Sequence, residues 1–399
     1  MFLFASPWLL TSAIALILLT LQLPAVIVLL SRLLKGPTRR PPLQPQRATP
    51  EQLGQVSVVV PTLNEALRVT PCLTGLSRQT CEVREILIVD SRSEDGTREI
   101  VEQAQVTDPR IRLLTDEPLP ADWVGRPWAL HHGYTYSSEN SRWILGLDAD
   151  TQPQPGLVPA LIAAAEAEDY DLVSLSPRFI LKGLGEIWLQ PALLMTLIYR
   201  FGPTGASESG AERVMANGQC FLCRRDLLDK LGGYEIARLS FCDDVTLARH
   251  AAQTGAKVGF WDGSQLLKVR MYEGLQETWR EWGRSLDLKD ASSTRQICGD
   301  LWFLTCVQGL PWLVLPILLW GLTFENPTLP VQLSLGLNAS LIAARMAMQL
   351  AILPSYDLSQ APNRWIFWLS PFADPLAVVR IWLSSLRTPK TWRGRQYSL

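Results

Sequence analysis

Two aspartates follow a short apolar run in the middle of the chain. Asp148 and Asp150 come directly after residues 143–147, which read Trp-Ile-Leu-Gly-Leu. Such a run predicts a buried β-strand, whose period of two would point both carboxylates to one face, at the strand end where open α/β sheets bind ligands. Two convergent carboxylates repel each other unless a cation lies between them, and Mg²⁺ binds one or two carboxylates together with substrate phosphates and water. The pair therefore predicts a metal site; a surface turn is the alternative, because Thr-Gln-Pro follows at 151–153.

Strand-like and helix-like segments alternate before these acids. The sequence predicts strands at 56–60, 85–90 and 110–114, and helices at about 66–79, 97–105 and 127–137. This alternation indicates an α/β fold with a mainly parallel sheet and helices on both faces. The second strand ends on Asp90, so acids from at least two strands share one rim, where Asp90 could accept a hydrogen bond from a base or a ribose hydroxyl.

The two ends of the chain differ from its middle in composition. Of 399 residues, 47% are hydrophobic and only 19% are charged, below the roughly 25% usual in soluble chains. Residues 2–31 carry no charge, and this run is longer than the ~20 apolar residues that a membrane-spanning helix needs. Because no basic leader and no cleavage site are evident, the run predicts a membrane anchor rather than a signal peptide. A net charge of −1 gives no reason to expect nucleic acid, and the seven scattered cysteines indicate reduced thiols in a cytosolic part.

The charges beside the apolar runs predict the topology. No acid occurs between the first run and Glu51, whereas several basic residues do, so this flank and the domain after it are expected in the cytoplasm. Spans are predicted at 301–324 and 329–353. The segment 365–386 is interrupted by proline and charge and is expected to lie in the interface or to re-enter, with the basic tail cytoplasmic. The expected division is an anchor at 1–34, a basic Pro-rich linker at 35–54, a cytosolic domain at 55–295 and a membrane region at 296–399.

Three segments together resemble family 2 glycosyltransferases of the GT-A fold. They are Val-Pro-Thr-Leu-Asn-Glu at 60–65, Val-Asp-Ser-Arg-Ser-Glu-Asp-Gly-Thr at 89–97 and Leu-Asp-Ala-Asp at 147–150. The resemblance runs from about residue 55 to 290, and Ser91 departs from it, because the family usually has a second acid there. It implies a nucleotide-diphosphate sugar donor (a UDP-sugar foremost), Mg²⁺ or Mn²⁺ on Asp148 and Asp150, and a nucleotide pocket lined by Thr62, Glu65 and Asp90.

A fourth segment resembles the lipid-directed branch of that family. Residues 123–129, Trp-Val-Gly-Arg-Pro-Trp-Ala, are similar to its Trp-X-Gly-Lys-X-X-Ala, with Arg126 in place of the lysine. An arginine there could hold a phosphate or a sugar hydroxyl with a bidentate fork; a surface arginine before a helix is the alternative. The apolar stretch 187–199 is too short to span a membrane and predicts either a core helix or an element that dips into the bilayer.

Asp243 and Asp244 open a predicted helix that ends near Gly255. Acids at a helix N-terminus are stabilised by its dipole, which alone could explain them. By resemblance they match the family's Glu-Asp pair, whose second member is the general base. Asp244 is therefore the candidate base for the attacking hydroxyl, and Asp243 takes the place of the glutamate.

A Trp- and Arg-rich segment lies just before the C-terminal membrane region. Arg280 and Arg284 would share one helix face and could neutralise a departing diphosphate, and Trp279 and Trp282 suit an interfacial acceptor site. The match to the Gln-X-X-Arg-Trp of processive members is loose, because the chain has Gln-X-X-Trp-Arg at 276–280. A helix that only anchors at the interface is the alternative.

These features together predict a membrane-bound, inverting glycosyltransferase. The acceptor is expected to be a lipid-soluble molecule with a hydroxyl group. The segment from 279 to 289 and the overall layout resemble carotenoid glycosyltransferases of photosynthetic bacteria, so a hydroxylated carotenoid ranks first. A hopanoid, ceramide or glycerolipid acceptor is the rival within enzymes, and a catalytically inactive membrane scaffold is the alternative from another class.

Overall fold

A seven-stranded sheet lies at the centre of the computed structural model, which describes residues 7–206, 210–282, 286, 288–322, 327–386, 391–392 and 395–396. The helices are α1 Pro7–Leu33, α2 Val69–Ser77, α3 Thr97–Thr107, α4 Gly125–Tyr136, α5 Leu157–Ala167, α6 Leu184–Phe201, α7 Arg225–Leu231, α8 Asp243–Gln253, α9 Gly274–Glu277, α10 Thr294–Leu304, α11 Leu310–Gly321, α12 Leu329–Ile352 and α13 Asp374–Leu386. The strands are β1 Val56–Thr62, β2 Val83–Asp90, β3 Ile111–Thr115, β4 Trp143–Leu147, β5 Thr151–Pro153, β6 Leu172–Ser176, β7 Arg178–Ile180, β8 Cys220–Arg224, β9 Val258–Asp262, β10 Leu267–Val269, β11 Tyr356–Asp357, β12 Thr391–Trp392 and β13 Arg395–Gln396.

The central sheet has the strand order β3-β2-β1-β4-β8-β6-β9. β1 pairs in parallel with β2 and with β4, whereas β8 runs antiparallel to both of its neighbours. Every residue of β1 and of β4 is buried, as strands covered by helices on both faces require. The predicted α/β fold with a mainly parallel sheet is confirmed, and the parallel arrangement brings the carboxyl ends of β1, β2 and β4 to one edge.

The chain turns directly after β4, which corrects one expectation. Asp148 and Asp150 do not continue the strand; they lie in a turn that leads into β5. The main-chain N–H and the hydroxyl of Thr151 both donate to the carbonyl of Asp148, at 3.2 Å and 2.7 Å. β5 then joins a second sheet of order β11-β7-β10-β5. The position of the two carboxylates is therefore set by a turn between two sheets and not by the period of a strand.

Four helical segments are long and apolar enough to cross a membrane: Thr11–Thr38, Thr294–Gly321, Leu329–Ser355 and Arg364–Leu386. Buried polar side chains connect them. Gln22 of α1 donates to the side chain of Asn338 in α12 at 2.9 Å, and Arg345 of α12 pairs with Asp374 at 2.7 Å. The charges that interrupt two apolar runs of the sequence thus neutralise each other. The interfacial position expected for 365–386 stays a prediction.

Two further segments pack on the central domain. The Pro-rich linker lies along its surface, where the N–H of Leu43 donates to Asp262 and that of Gln46 donates to Gly156. It is bound to the domain and is not only a spacer. Helix α6 contains the apolar stretch 187–199 and has a mostly buried surface, packed against residues 364–373 and α13, which favours the interpretation as a core helix.

Candidate active site

A cavity of about 780 Å³ reaches from acidic residues of the central domain to the membrane-length helices. At one end its wall contains Asp148, Asp243 and Asp244. Elsewhere the wall is formed by apolar residues of α1, α6 and α12, which include Val28, Leu33, Leu194, Leu197, Ile198, Met348 and Ile352. Its size is that of a small-molecule site. Its lining is polar where the acids lie and largely apolar along the long helices, apart from Ser31 and Arg32 near the end of α1.

Arg126 connects the acids of this cavity. It stands at the start of α4, and its guanidinium donates to Asp148 at 2.9 Å and also to Asp243 and, at 2.8 Å, to the carbonyl of Gly218. Burial opposes its charge, but the carboxylates of Asp148 and Asp243 raise the pKa of Arg126 above its ordinary value. The arginine expected to hold a phosphate is thus a fully charged bridge between two acids that are far apart in the sequence.

Asp244 is held at the N-terminus of α8 by two main-chain donors. The N–H of Gly218 donates to it at 2.6 Å and the N–H of Val245 at 2.9 Å. Desolvation and the neighbouring Asp243 carboxylate raise the pKa of Asp244 to about 6, although the Arg126 guanidinium opposes the rise. Desolvation also raises the pKa of Asp243, against the effect of Arg126. A carboxyl group whose pKa is about 6 and whose orientation is fixed at a cavity wall can accept a proton from a bound hydroxyl.

Gly218 is a site residue that the sequence did not reveal. A Cβ atom at this position would lie 2.3 Å from a guanidinium nitrogen of Arg126, so only glycine permits the contact. Its carbonyl accepts from Arg126 while its N–H donates to Asp244. The residue lies in the turn before β8, and the one signal for it in the sequence is the dipeptide Asn-Gly at 217–218, which is typical of a turn.

Thr62 and Asp90 lie at neighbouring strand ends of the same sheet edge. The hydroxyl of Thr62 donates to Asp90 at 3.2 Å. Asp90 is completely buried and also accepts from the N–H and hydroxyl of Ser93, at 3.0 Å and 2.6 Å. Its carboxylate therefore organises the loop after β2, and its contact with a nucleotide stays a prediction.

Glu65, Asp148 and Asp150 all act electrostatically on the buried Cys72. Burial raises the pKa of the Cys72 thiol to about 12, and the carboxylates of Asp150, Asp148 and Glu65 contribute to that rise. These acids come from the turns after β1 and β4, so the fold gathers them at one edge, as parallel neighbouring strands require. Thr62, Glu65, Asp90 and Asp150 are not among the residues that line the cavity.

The Trp- and Arg-rich segment is only partly brought to the site. Residues 278–282 form a π-helical turn. Arg284 lies outside the described residues, so the shared helix face expected for Arg280 and Arg284 stays a prediction. The guanidinium of Arg280 pairs with Glu281 at 2.9 Å and is two-thirds exposed, away from the cavity. Trp282 lines the cavity and is buried, whereas Trp279 packs against Arg380 outside it.

The remaining candidates have structural positions. Cys220 and Cys223 are buried on β8 in different clusters of the core, which confirms that they are packing residues on opposite strand faces. His131 and His132 lie on α4 and His250 on α8, as expected of structural histidines.

Comparisons with known proteins agree with this architecture. Residues 57–232 match the sequence model of the family described as glycosyl transferase family 2. The chain is 23% identical over 271 residues to the 4,4'-diaponeurosporenoate glycosyltransferase of Staphylococcus haemolyticus, which covers 67% of this chain and 71% of that protein. It is 24% identical over 216 residues to the polyprenol monophosphomannose synthase of Mycolicibacterium smegmatis, with 53% and 77% covered.

Among solved structures, the mannosyltransferase PcManGT from Pyrobaculum calidifontis in complex with GDP-Man and Mn²⁺ aligns with a TM-score of 0.49 at 16% identity, over 94% of this chain and 98% of that one. The sheet order, the position of the acids at its edge and the match of residues 57–232 lead to one conclusion: the chain is a glycosyltransferase, and its central domain is similar to glycosyl transferase family 2.

Proposed function

We propose that the protein transfers a hexose, with inversion, from a nucleotide-diphosphate sugar to a hydroxyl group of a lipid-soluble acceptor. The observation that carries this proposal is the cavity shared by Asp148, Asp243 and Asp244 and by the apolar sides of α1 and α12. A water-soluble donor reaches the acids from the domain side. A greasy acceptor leaves the bilayer between the long helices and presents its polar end to the same acids.

Asp244 is the general base of this proposal. The N–H groups of Gly218 and Val245 fix its carboxylate, so that it accepts the proton of the acceptor hydroxyl while the oxygen attacks the anomeric carbon. The diphosphate leaves from the opposite face of the sugar, which inverts the configuration in a single displacement. Positioned proton transfer of this kind contributes about 10²–10⁴-fold to rate.

Asp148 and Asp150 would hold Mg²⁺ or Mn²⁺, and their surroundings fit such an ion. They offer hard carboxylate oxygens, and one arginine faces the three carboxylates of Asp148, Asp243 and Asp244, which leaves an excess of negative charge. Within the described part of the chain no group of three or more His, Cys, Asp or Glu residues could hold an ion alone. The remaining ligands would be diphosphate oxygens and water, as Mg²⁺ prefers; when bound, the ion neutralises charge that develops on the leaving group.

Other residues of the chain act on the donor in this proposal. Thr62, Glu65 and Asp90 lie at the sheet edge where the nucleotide would bind. Arg126 bridges Asp148 and Asp243 and can turn toward the diphosphate when the donor binds at Asp148. Arg280 and Arg284 would neutralise the departing diphosphate, which requires Arg280 to leave its pair with Glu281.

For the acceptor, a hydroxylated carotenoid remains the first choice. The name of the staphylococcal relative refers to a carotenoid-derived acid and that of the mycobacterial relative to a polyprenol, and both support a long apolar acceptor. Trp282 in the cavity wall would contact it, and Trp279 is the second candidate for contact with the acceptor. A hopanoid, ceramide or glycerolipid is the second candidate, because the apolar lining does not select among long hydrocarbon chains.

The four-part division expected from the sequence is retained in this proposal. The anchor at 1–34, the linker at 35–54 and the membrane region at 296–399 hold the domain at 55–295 at the cytoplasmic side of the bilayer, where nucleotide sugars are made. The basic residues that follow the first apolar run support this orientation.

The test is a comparison of pigment and lipid extracts by mass spectrometry. A deletion strain is complemented with the wild-type chain or with Asp244→Asn. We expect a hexosyl or deoxyhexosyl carotenoid that disappears in the deletion and returns only with the wild type. An unchanged carotenoid profile with one missing glycolipid would replace the acceptor by the second candidate. Absence of donor hydrolysis by wild-type membranes, unaltered by Asp244→Asn, would indicate a scaffold instead.

A further inference from the structure

The loop that follows α12 contributes a strand to the second sheet of the protein. Tyr356–Asp357 of this loop form β11, which pairs in parallel with β7. β7 pairs with β10, and β10 pairs with β5. β5 begins directly after the turn that contains Asp148 and Asp150. One sheet of four strands therefore extends from the end of a membrane-length helix to the candidate metal ligands.

One buried residue from each strand forms a row across this sheet. Tyr356 is in register with Phe179, and the centres of their rings lie 5.9 Å apart. Phe179 is in register with Val269, and Val269 is in register with Thr151. All four side chains are buried. Thr151 donates twice to the carbonyl of Asp148, so the row ends at the turn itself.

An ion pair connects the two strands that flank β7. Lys268 of β10 contacts Asp357 of β11 at 2.9 Å, so the pair spans the strand between them. Hydrogen bonds from Ser359 and Lys268 hold the pKa of Asp357 well below its ordinary value, so its carboxylate is charged at neutral pH. Lys268 is also in register with Gln152 of β5. β11 and β10 cannot separate unless this charged pair breaks, and β10 is the strand on which β5 lies.

We propose that Asp357 and Lys268 are positioning residues for the turn that contains Asp148 and Asp150. The inference rests on the proposed function, in which these two acids hold Mg²⁺ or Mn²⁺. Residues that orient metal ligands change the metal affinity by about 10–100-fold, because ligands held in place before the ion arrives need less ordering when it binds. The loop after α12 supplies part of that hold. It also fixes the turn relative to the membrane-length helices that line the same cavity.

The test follows the turn by hydrogen–deuterium exchange of the full-length protein in detergent micelles. We expect Asp357→Asn and Lys268→Met to speed the exchange of main-chain amides in the turn and in β5, but not in β1, which belongs to the other sheet. Lys268→Arg should keep the slow exchange, because it retains the charge. Mn²⁺ binding, measured by electron paramagnetic resonance, should weaken by roughly tenfold in the first two variants and stay near the wild-type value in Lys268→Arg.

Lys230→Met is the matched control. It removes a lysine from an exposed ion pair with Asp226 on α7, so exchange in the turn and Mn²⁺ binding should equal those of the wild type. Unchanged exchange in the turn of both Asp357→Asn and Lys268→Met would overturn the positioning role. An equal increase in β1 would overturn it too, because it would mean a general loss of stability, and so would faster exchange with unchanged Mn²⁺ affinity. A wild type that binds no Mn²⁺ would count against the proposed metal site, and the exchange result would still decide whether the pair positions the turn.

Discussion

Arg126 in the domain and Arg345 between the membrane-length helices each pair with a buried aspartate. Arg345 and Asp374 are almost completely buried, with side-chain exposures of 2% and 0%, and Gln349 accepts a further hydrogen bond. Arg126 faces a cavity and bridges two acids, of which Asp148 is 28% exposed. The first arrangement has one cation for one anion and no access for a ligand. The second has one cation among three acids at a cavity wall, and this excess of negative charge is what the pair between the membrane-length helices lacks.

The largest effect is expected from the base itself. Asp244→Asn keeps the shape and the acceptor atom for one main-chain N–H but cannot take a proton, so the transfer rate should fall by about 10²–10⁴-fold with little change in folding. Transfer is measured at saturating donor in reconstituted vesicles. Asp226→Asn, an exposed acid of α7, should have wild-type activity; an Asp244→Asn enzyme of comparable rate would remove the proposed base.

Substitution of one member of the Arg345–Asp374 pair should lower the stability of the protein. Arg345→Met or Asp374→Leu alone leaves an unpaired buried charge and should lower the free energy of unfolding by about 3–5 kcal/mol. The double variant should recover most of that loss, because no charge remains buried. Unfolding is followed in detergent micelles as a double-mutant cycle. Single and double variants of equal stability would show that the two charges do not depend on each other.

A smaller effect is expected from substitution of Gly218, whose main chain contacts both Arg126 and Asp244. Gly218→Ala places a methyl group 2.3 Å from the Arg126 guanidinium, and overpacking of this kind costs about 1–3 kcal/mol. The arginine must shift. The transfer rate should then fall by roughly tenfold for each 1.4 kcal/mol by which that shift raises the activation free energy. Gly336→Ala, where a methyl group would meet nothing within 4 Å, is the control. Equal rates for the two variants would mean that Arg126 is not needed in its observed place.

The smallest effect is expected in the pH dependence of the transfer rate. Because the pKa of Asp244 is raised to about 6 and the base must be ionised, the transfer rate should decline as the pH falls through about 6. Asp243→Asn removes the neighbouring carboxylate that contributes to the rise, so the same limb should move to lower pH. A profile that is flat down to the ordinary aspartate range, near pH 4, would contradict the raised pKa of the proposed base.

Local patterns predicted the strands and the helix that carry the candidate site. The apolar runs 56–60 and 143–147 are buried strands, since runs of that length between turn signals suit a strand covered on both faces. The acids at 243 and 244 do begin a helix. The argument failed at Asp148, where a turn replaced the expected strand, because the hydrogen bonds of Thr151 and the pairing of β5 with β10 override the simple period.

Other features had no local signal. Gly218 looked like a turn residue, and only the approach of Arg126 gives it a role. Arg345 and Asp374 looked like breaks in apolar runs, and only their pairing explains how they are tolerated in the interior.

The sequence by itself determined the kinds of elements, their order and the family resemblance, because hydrophobic period and short motifs are local properties of the chain. Only the tertiary structure decided which charges meet. Arg126 reaches Asp148, Asp243 and Gly218 across separations of 22, 117 and 92 residues, and the end of α1 reaches the wall of the same cavity. Contacts between distant segments depend on how sheets and helices pack, and no local pattern in the sequence shows which segments will meet.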